Sequence, residues 1–128
     1  TDISMRVLTK ARSGIYSEAE LNGLPPSWRT KYIDTLPDGN FQICERMRRE
    51  VIFRPGNLME PFHFKRPFDL ICCRNVMIYF DGPTKDSIIN KFYDWTSPGG
   101  YFFIGHSESI GNNTRYQYVQ PAIYQRRE

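Results

Sequence analysis

The side chains best able to do chemistry lie at the end of one short apolar run. Phe68-Asp69-Leu70-Ile71-Cys72-Cys73 stops at Arg74-Asn75, and Tyr79 follows a few residues later. A guanidinium, a carboxamide and a phenol supply the donors that hold anionic or polar ligand groups. The apolar run is too short for a buried helix and is expected to be a strand covered on both faces. Its abrupt end in side chains that are costly to bury places Arg74 and Asn75 at a carboxyl strand end, where α/β sheets bind ligands. A turn capped by Asn75, with Tyr79 packed, fits the same letters about as well.

A second polar cluster, Gly105-His106-Ser107-Glu108-Ser109, follows the apolar run Tyr101-Phe102-Phe103-Ile104, another expected doubly buried strand. The cluster departs from the G-x-S-x-G nucleophile elbow. The last glycine, a following helix and a downstream histidine are all missing, which argues against a serine hydrolase. Lining a pocket and satisfying loop backbone both remain open for it. Two further positions belong to this group. If a strand precedes Thr1, Asp2 stands at its carboxyl end, where an acid accepts ribose hydroxyls; taken alone, its place beside a helix start explains it as well. Asn57 and Leu58 sit on a loop after Val51-Ile52-Phe53, halted by Pro55-Gly56.

The elements that must position these residues can be read in order. Ser4 is a good N-cap for a helix carrying Val7, Leu8 and Ala11 on one face, which Gly14 ends. Pro25-Pro26 opens a short helix with Trp28, Tyr32 and Ile33 as its apolar face. Leu36-Pro37-Asp38-Gly39-Asn40 is a turn. Phe41-Gln42-Ile43-Cys44 and residues 50–53 are expected strands flanking the charged stretch Glu45-Arg46-Met47-Arg48-Arg49. That stretch and Arg54 are read either as a solvated face or as a docking patch for an acidic protein surface. Residues 61–67 are a linker. Asp81-Gly82-Pro83 starts the clearest helix, with Ile88, Ile89, Phe92, Tyr93 and Trp95 on one stripe. Ser97-Pro98-Gly99-Gly100 breaks it, and residues 115–119 and 122–125 form a hairpin with Tyr116, Tyr118 and Ile123 on its apolar faces. The order implies an α/β fold with an antiparallel edge at the C-terminus.

Composition narrows the field. At 128 residues, 40% hydrophobic and 15% aromatic, the chain suits one globular domain and argues against disorder. A net charge of +3 is too mild to imply nucleic acid, and no apolar run approaches the length of a membrane span. Cys72 and Cys73 are neighbours on a strand and point to opposite faces, so they share neither a bridge nor a metal. With Cys44 they read as small core residues of a reducing cytoplasm. His63 and His106 have no ligand spacing to any cysteine, so no metal is expected.

The pieces T-D-I-S…V-L-x-x-A-R-x-G-I-Y, N-L, F-D-L-I-C-C-R-N-V-M-I-Y-F, P-G-G-Y-F-F-I-G-H-S-E-S and A-I-Y together resemble the CheR-type chemotaxis receptor methyltransferases. The resemblance runs nearly the whole chain, in order. It implies a partial Rossmann-like class I methyltransferase sheet that transfers a methyl group from S-adenosylmethionine to glutamate side chains of chemoreceptors, with S-adenosylhomocysteine as product. By resemblance Asp2 holds the cofactor ribose, Asn57 and Leu58 meet its adenosyl portion, Arg74 and Asn75 lie beside it, and Tyr79 is at the methyl-transfer site. Residues 36–50 resemble part of the family's inserted antiparallel β subdomain, which docks receptors, here through Arg46, Arg48, Arg49 and Arg54. The partners implied are chemoreceptor cytoplasmic helices, with no membrane insertion and no nucleic acid.

The family's N-terminal helical domain, first strand with its Gly-rich loop, and an arginine near the transferred methyl have no counterpart in residues 1–128. The chain is therefore expected to be a fragment of one catalytic domain that binds cofactor poorly by itself. The turn at 36–40 is shorter than in members that grip a receptor C-terminal peptide, so tight tethering is not expected. The alternative is a non-catalytic signalling module that keeps the fold and docks proteins. A nucleic-acid methyltransferase ranks third, because the Pro-Pro of the corresponding base-methylation motif is absent.

Overall fold

The computed structural model describes residues 1–112 and 114–127. Two compact units, Thr1–Asn57 and Leu58–Glu128, divide the chain.

In the first unit, helix α1 (Met5–Ser13) begins where Ser4 Oγ accepts the Val7 amide and ends at Gly14, φ 63°, whose N–H reaches the Lys10 carbonyl. Leu8 is its buried residue, while Val7 is exposed. Strands β1 (Ile15–Tyr16), β2 (Ile33–Thr35) and β3 (Phe41–Ile43) form an antiparallel sheet in the order β1-β3-β2. Helix α2 (Pro26–Tyr32) leads into β2, but Trp28 on its expected apolar face is exposed. The β2–β3 turn closes through Leu36 N–H to the Asn40 carbonyl at 2.8 Å, with Gly39 at φ 85° and Asp38 accepting the Asn40 amide.

Two expectations here are corrected. The charged stretch is helix α3 (Glu45–Glu50), because charges spaced three and four apart sit as well on a solvated helix as on a strand face; Arg49 pairs with Glu45 one turn away. Residues 50–53 form no ladder, and the pairing nearby is a single parallel bridge between Asp2 and Pro55. Both the segment 15–43 and α3 therefore build the region around the turn at 36–40.

In the second unit, β4 (Phe68–Cys73), α4 (Gly82–Trp95) and β5 (Thr96–Ile104) make a parallel β-α-β crossover. The hairpin β6 (Gln117–Gln120) and β7 (Ile123–Gln125) follows, giving the mixed order β4-β5-β7-β6. Asp81 caps α4 by accepting the Thr84 amide, with Pro83 in the first turn, and Ile88, Ile89 and Phe92 are buried as the stripe requires. They pack with Met77, Phe102, Ile104, Ile110, Tyr116 and Tyr124 in one core. Phe102 stacks on Tyr116 and meets Phe92 at a tilt, with ring centroids 5.1 and 5.3 Å away.

The two parallel strands are not doubly buried. In β4 only Cys73 is fully enclosed, and Leu70 is 49% exposed, because β4 is the last strand of its sheet and pairs on one side alone. In β5, Phe102 and Ile104 are inside, while Tyr101 is exposed on the uncovered face. The helix ends before Ser97-Pro98-Gly99-Gly100, yet these residues belong to β5, as a bulge opposite residues 68–70. The expected linker is also structural, since Phe62 packs on the core and Phe64 meets Phe68 and Trp95 edge-on. Tyr118 is exposed rather than apolar cover, and Tyr116 is buried just before the hairpin begins.

Candidate functional site

Arg74 and Asn75 stand directly after β4, and the backbone there takes an unusual path. Asn75 has φ 58°, a left-handed conformation that asparagine tolerates better than most residues. Its N–H donates to Glu108 Oε2 at 2.9 Å, and the Gly105 N–H donates to the same oxygen at 2.7 Å. One carboxylate thus ties the carboxyl ends of the two parallel strands. The Glu108 N–H in turn reaches the Gly105 carbonyl at 3.0 Å, closing the turn that brings the carboxylate back. A Cβ on Gly105 would lie 2.5 Å from Asn75 Oδ1 and 2.7 Å from Glu108 Oε2, so a side chain there would displace both groups.

Arg74, Asn75 and Tyr79 are exposed, Tyr79 at 80%. Tyr79 closes the short 3-10 turn Met77–Tyr79, anchored by buried Met77. The packed tyrosine of the bland reading is therefore not seen, whereas its turn-forming asparagine is. Cys73, just inside the rim, is a neutral thiol: burial first, and then the charge of Glu108, push it up to about 11. The rim accordingly presents donors and a carboxamide to solvent over an apolar floor.

Leu58 is half-buried and packs on the core. Its carbonyl accepts from Lys91 Nζ at 3.1 Å, and the same ammonium reaches the Met59 and Glu60 carbonyls at 3.2 Å. Helix α4 thereby holds the start of this unit through one charge. In the other unit, Asp2 and Asn57 lie beside the single parallel bridge of Asp2 with Pro55. Asp2 N–H donates to the Arg54 carbonyl at 3.3 Å, and Gly56 N–H to the Asp2 carbonyl at 3.0 Å, with Asn57 next in sequence. Asp2 Oδ1 accepts the Ser4 amide at 2.7 Å, so a helix-start role is present, and Ser4 is the N-cap itself.

The four basic docking candidates are not equivalent. Arg46, Arg49 and Arg54 are exposed, but Arg48 donates from Nε to the Ile43 carbonyl at 2.9 Å and its Cδ lies against Gly14. Arg48 holds α3 to the sheet. Sequence reasoning missed Lys91 and the strand-end role of Glu108. An acid three residues after a strand-end glycine was a usable signal for the second; nothing local signalled the first.

The family profile described as "CheR methyltransferase, SAM binding domain" matches residues 1–124. The chain is 46% identical over 127 residues to the chemotaxis protein methyltransferase of Borreliella burgdorferi, covering 98% of this chain and 45% of that protein. It is 38% identical over 122 residues to chemotaxis protein methyltransferase 1 of Vibrio cholerae serotype O1, covering 94% and 44%. The chain therefore spans less than half the length of these relatives. Among solved structures, the N-methyltransferase NodS of Bradyrhizobium japonicum, in complex with S-adenosyl-l-homocysteine, aligns with TM-score 0.38 and 19% identity over 46% of this chain and 32% of that one. That likeness is too slight to bear on function. No described helix is long and apolar enough to cross a membrane.

Proposed function

The chain belongs to the CheR methyltransferase SAM-binding family, and on that premise we propose that the full-length protein methylates glutamate side chains of chemoreceptors. The observation that carries this reading is the strand-end rim, where Arg74, Asn75 and Tyr79 are exposed and the backbone beneath them is fixed by Glu108. Short polar groups at a carboxyl strand end suit a nucleoside-type ligand. Asp2 holds the ribose, Asn57 and Leu58 the adenosyl portion, and Arg74 and Asn75 the part nearest the reaction. Asp2 fits because the Ser4 amide takes one bond, at Oδ1, of a carboxylate able to accept several.

S-adenosylmethionine held there would supply a methyl group on a sulfonium, with S-adenosylhomocysteine as the leaving group. The chain's own residues then have three tasks. They keep the substrate glutamate ionised, which it already is at neutral pH, so no general base is required. They exclude water and hold oxygen and methyl in line. The Tyr79 phenol donates to one carboxylate oxygen and leaves the other free to attack. Atoms balance: a C–O bond forms, the C–S bond breaks, and no proton moves.

The antiparallel sheet with α3 is the receptor-docking part, through Arg46, Arg49 and Arg54, in a protein that works in the cytoplasm. The test is methyl transfer from labelled S-adenosylmethionine to receptor cytoplasmic fragments by the full-length protein. Base-labile label on glutamate is the expected result; cofactor binding without label on any receptor glutamate would overturn it. The exposed arginines of α3 also favour a second reading, a non-catalytic docking module. That module would bind receptor without binding S-adenosylmethionine.

A further inference from the structure

We propose that Glu108 is the positioning residue of the methyl-transfer site, its carboxylate holding the Arg74–Asn75 rim in register with the end of β5. The proposal rests on the methyltransferase reading for its functional consequence, and on geometry alone for its structural part. Glu108 Oε2 accepts two backbone donors, from Asn75 at 2.9 Å and Gly105 at 2.7 Å, across 33 residues in the first case. Charged acceptors make such bonds shorter and stronger than neutral ones. Gly105 itself supplies no such tie, because it has no side chain and a Cβ there would meet Asn75 Oδ1 at 2.5 Å.

The left-handed turn at Asn75 is what the clamp maintains. A residue at φ 58° is strained unless its surroundings over-determine it, and here the N–H is fixed by a carboxylate from the neighbouring strand end. The consequence is that Arg74 and Asn75 face outward from a rigid base, while nothing about the side chain of Glu108 needs to touch a ligand. Oε1 is the second half of the observation. It is enclosed, and among the described residues it has no hydrogen-bond partner. A carboxylate kept partly unpaired inside a strand-end turn is costly. Stability of the turn alone is a weak reason for it, since a neutral acceptor would serve the two amides at lower cost.

The test uses the full-length protein, ¹⁵N-labelled, with Glu108→Gln and Glu108→Ala. In the unsubstituted protein the amide resonances of Asn75 and Gly105 are expected to titrate together with one apparent pKa. Glu108→Gln keeps an acceptor oxygen, so both amides stay slow to exchange, lose that titration, and cofactor affinity stays within about threefold. Glu108→Ala should speed exchange at both amides and weaken S-adenosylmethionine binding, each by at least about tenfold, with the Phe102 and Ile104 amides unchanged. Independent titration of the two amides, or an alanine variant with both still protected and cofactor binding intact, overturns the proposal. Loss of protection along all of β5 also overturns it, as a purely structural role. Should Glu108→Ala not fold, co-titration in the unsubstituted protein and the glutamine variant still decide. Absence of cofactor binding by the unsubstituted protein would sink the methyltransferase reading while leaving the amide measurements to decide the clamp.

Discussion

Replacing Tyr79 with phenylalanine removes one oxygen from a residue that the fold hardly uses. Tyr79 is 80% exposed and lies outside the core cluster, so its stability cost should stay within about 0.5 kcal/mol. Its functional cost follows from what the phenol is proposed to hold. A hydrogen bond to a charged carboxylate contributes about 1.5–3 kcal/mol. If that bond is made to the reacting glutamate in the transition state, Tyr79→Phe slows kcat by roughly 10- to 150-fold. Affinity for S-adenosylmethionine should change little, because Arg74, Asn75 and the other groups proposed to hold the cofactor are intact. Steady-state methyl transfer to a receptor fragment gives kcat, and calorimetry gives the cofactor Kd. Equal losses in both would show that the phenol acts on the cofactor, and unchanged turnover would show that it does nothing; either refutes the role.

Three other perturbations follow from contacts in the two units. The Thr96 hydroxyl gives its one proton to the Phe92 carbonyl at 2.8 Å, so Tyr116 must donate to Thr96 Oγ1 at 2.6 Å. Tyr116→Phe should therefore cost only about 1 kcal/mol, whereas Thr96→Val, which strands the phenol and removes the carbonyl's donor, should cost about 2–4 kcal/mol by urea melts. Burial pushes the Tyr116 phenol up to about 12, against about 10 unfolded. Its stabilisation is complete below about pH 10 and lost as pH rises toward 12, and this alkaline loss should shrink in Tyr116→Phe. Lys91→Met removes the ammonium from three carbonyls, so exchange at residues 58–62 should accelerate and the cofactor Kd rise by about threefold or more, read by hydrogen exchange and calorimetry. Arg46→Glu with Arg49→Glu should weaken receptor binding by at least about tenfold in low salt without changing the melt; Arg48→Met should instead lower the melt, because it loses the Ile43 carbonyl.

Local chemistry was legible without coordinates. Ser4 and Gly14 bracket α1 and Asp81-Gly82-Pro83 starts α4, because capping and left-handed exits are settled within about four residues of chain. The stripe Ile88, Ile89, Phe92 marked the buried face of α4 for the same reason. The strand-end position of Arg74 and Asn75 was legible too, since an apolar run that stops at charge marks where burial ends, although a turn capped by Asn75 fitted the same letters as well. The charged residues 45–49 were not: their spacing suits a helix and an exposed strand alike, and only the surrounding sheet decided.

Which faces are covered depended on the tertiary structure. Leu70 and Ile71 read as buried, yet β4 ends its sheet and Leu70 is half open, because coverage comes from segments that no local pattern names. The partners of Glu108, Lys91 and Tyr116 lie 33, 33 and 20 residues away, at separations where letter spacing carries no distance. Sequence alone determined how α1 and α4 begin, where α1 ends and which family the chain resembles. Folding decided that a carboxylate, rather than the chain's own turn chemistry, sets the backbone under the Arg74–Asn75 rim, because hydrogen bonds between strand ends exist only once the strands are side by side.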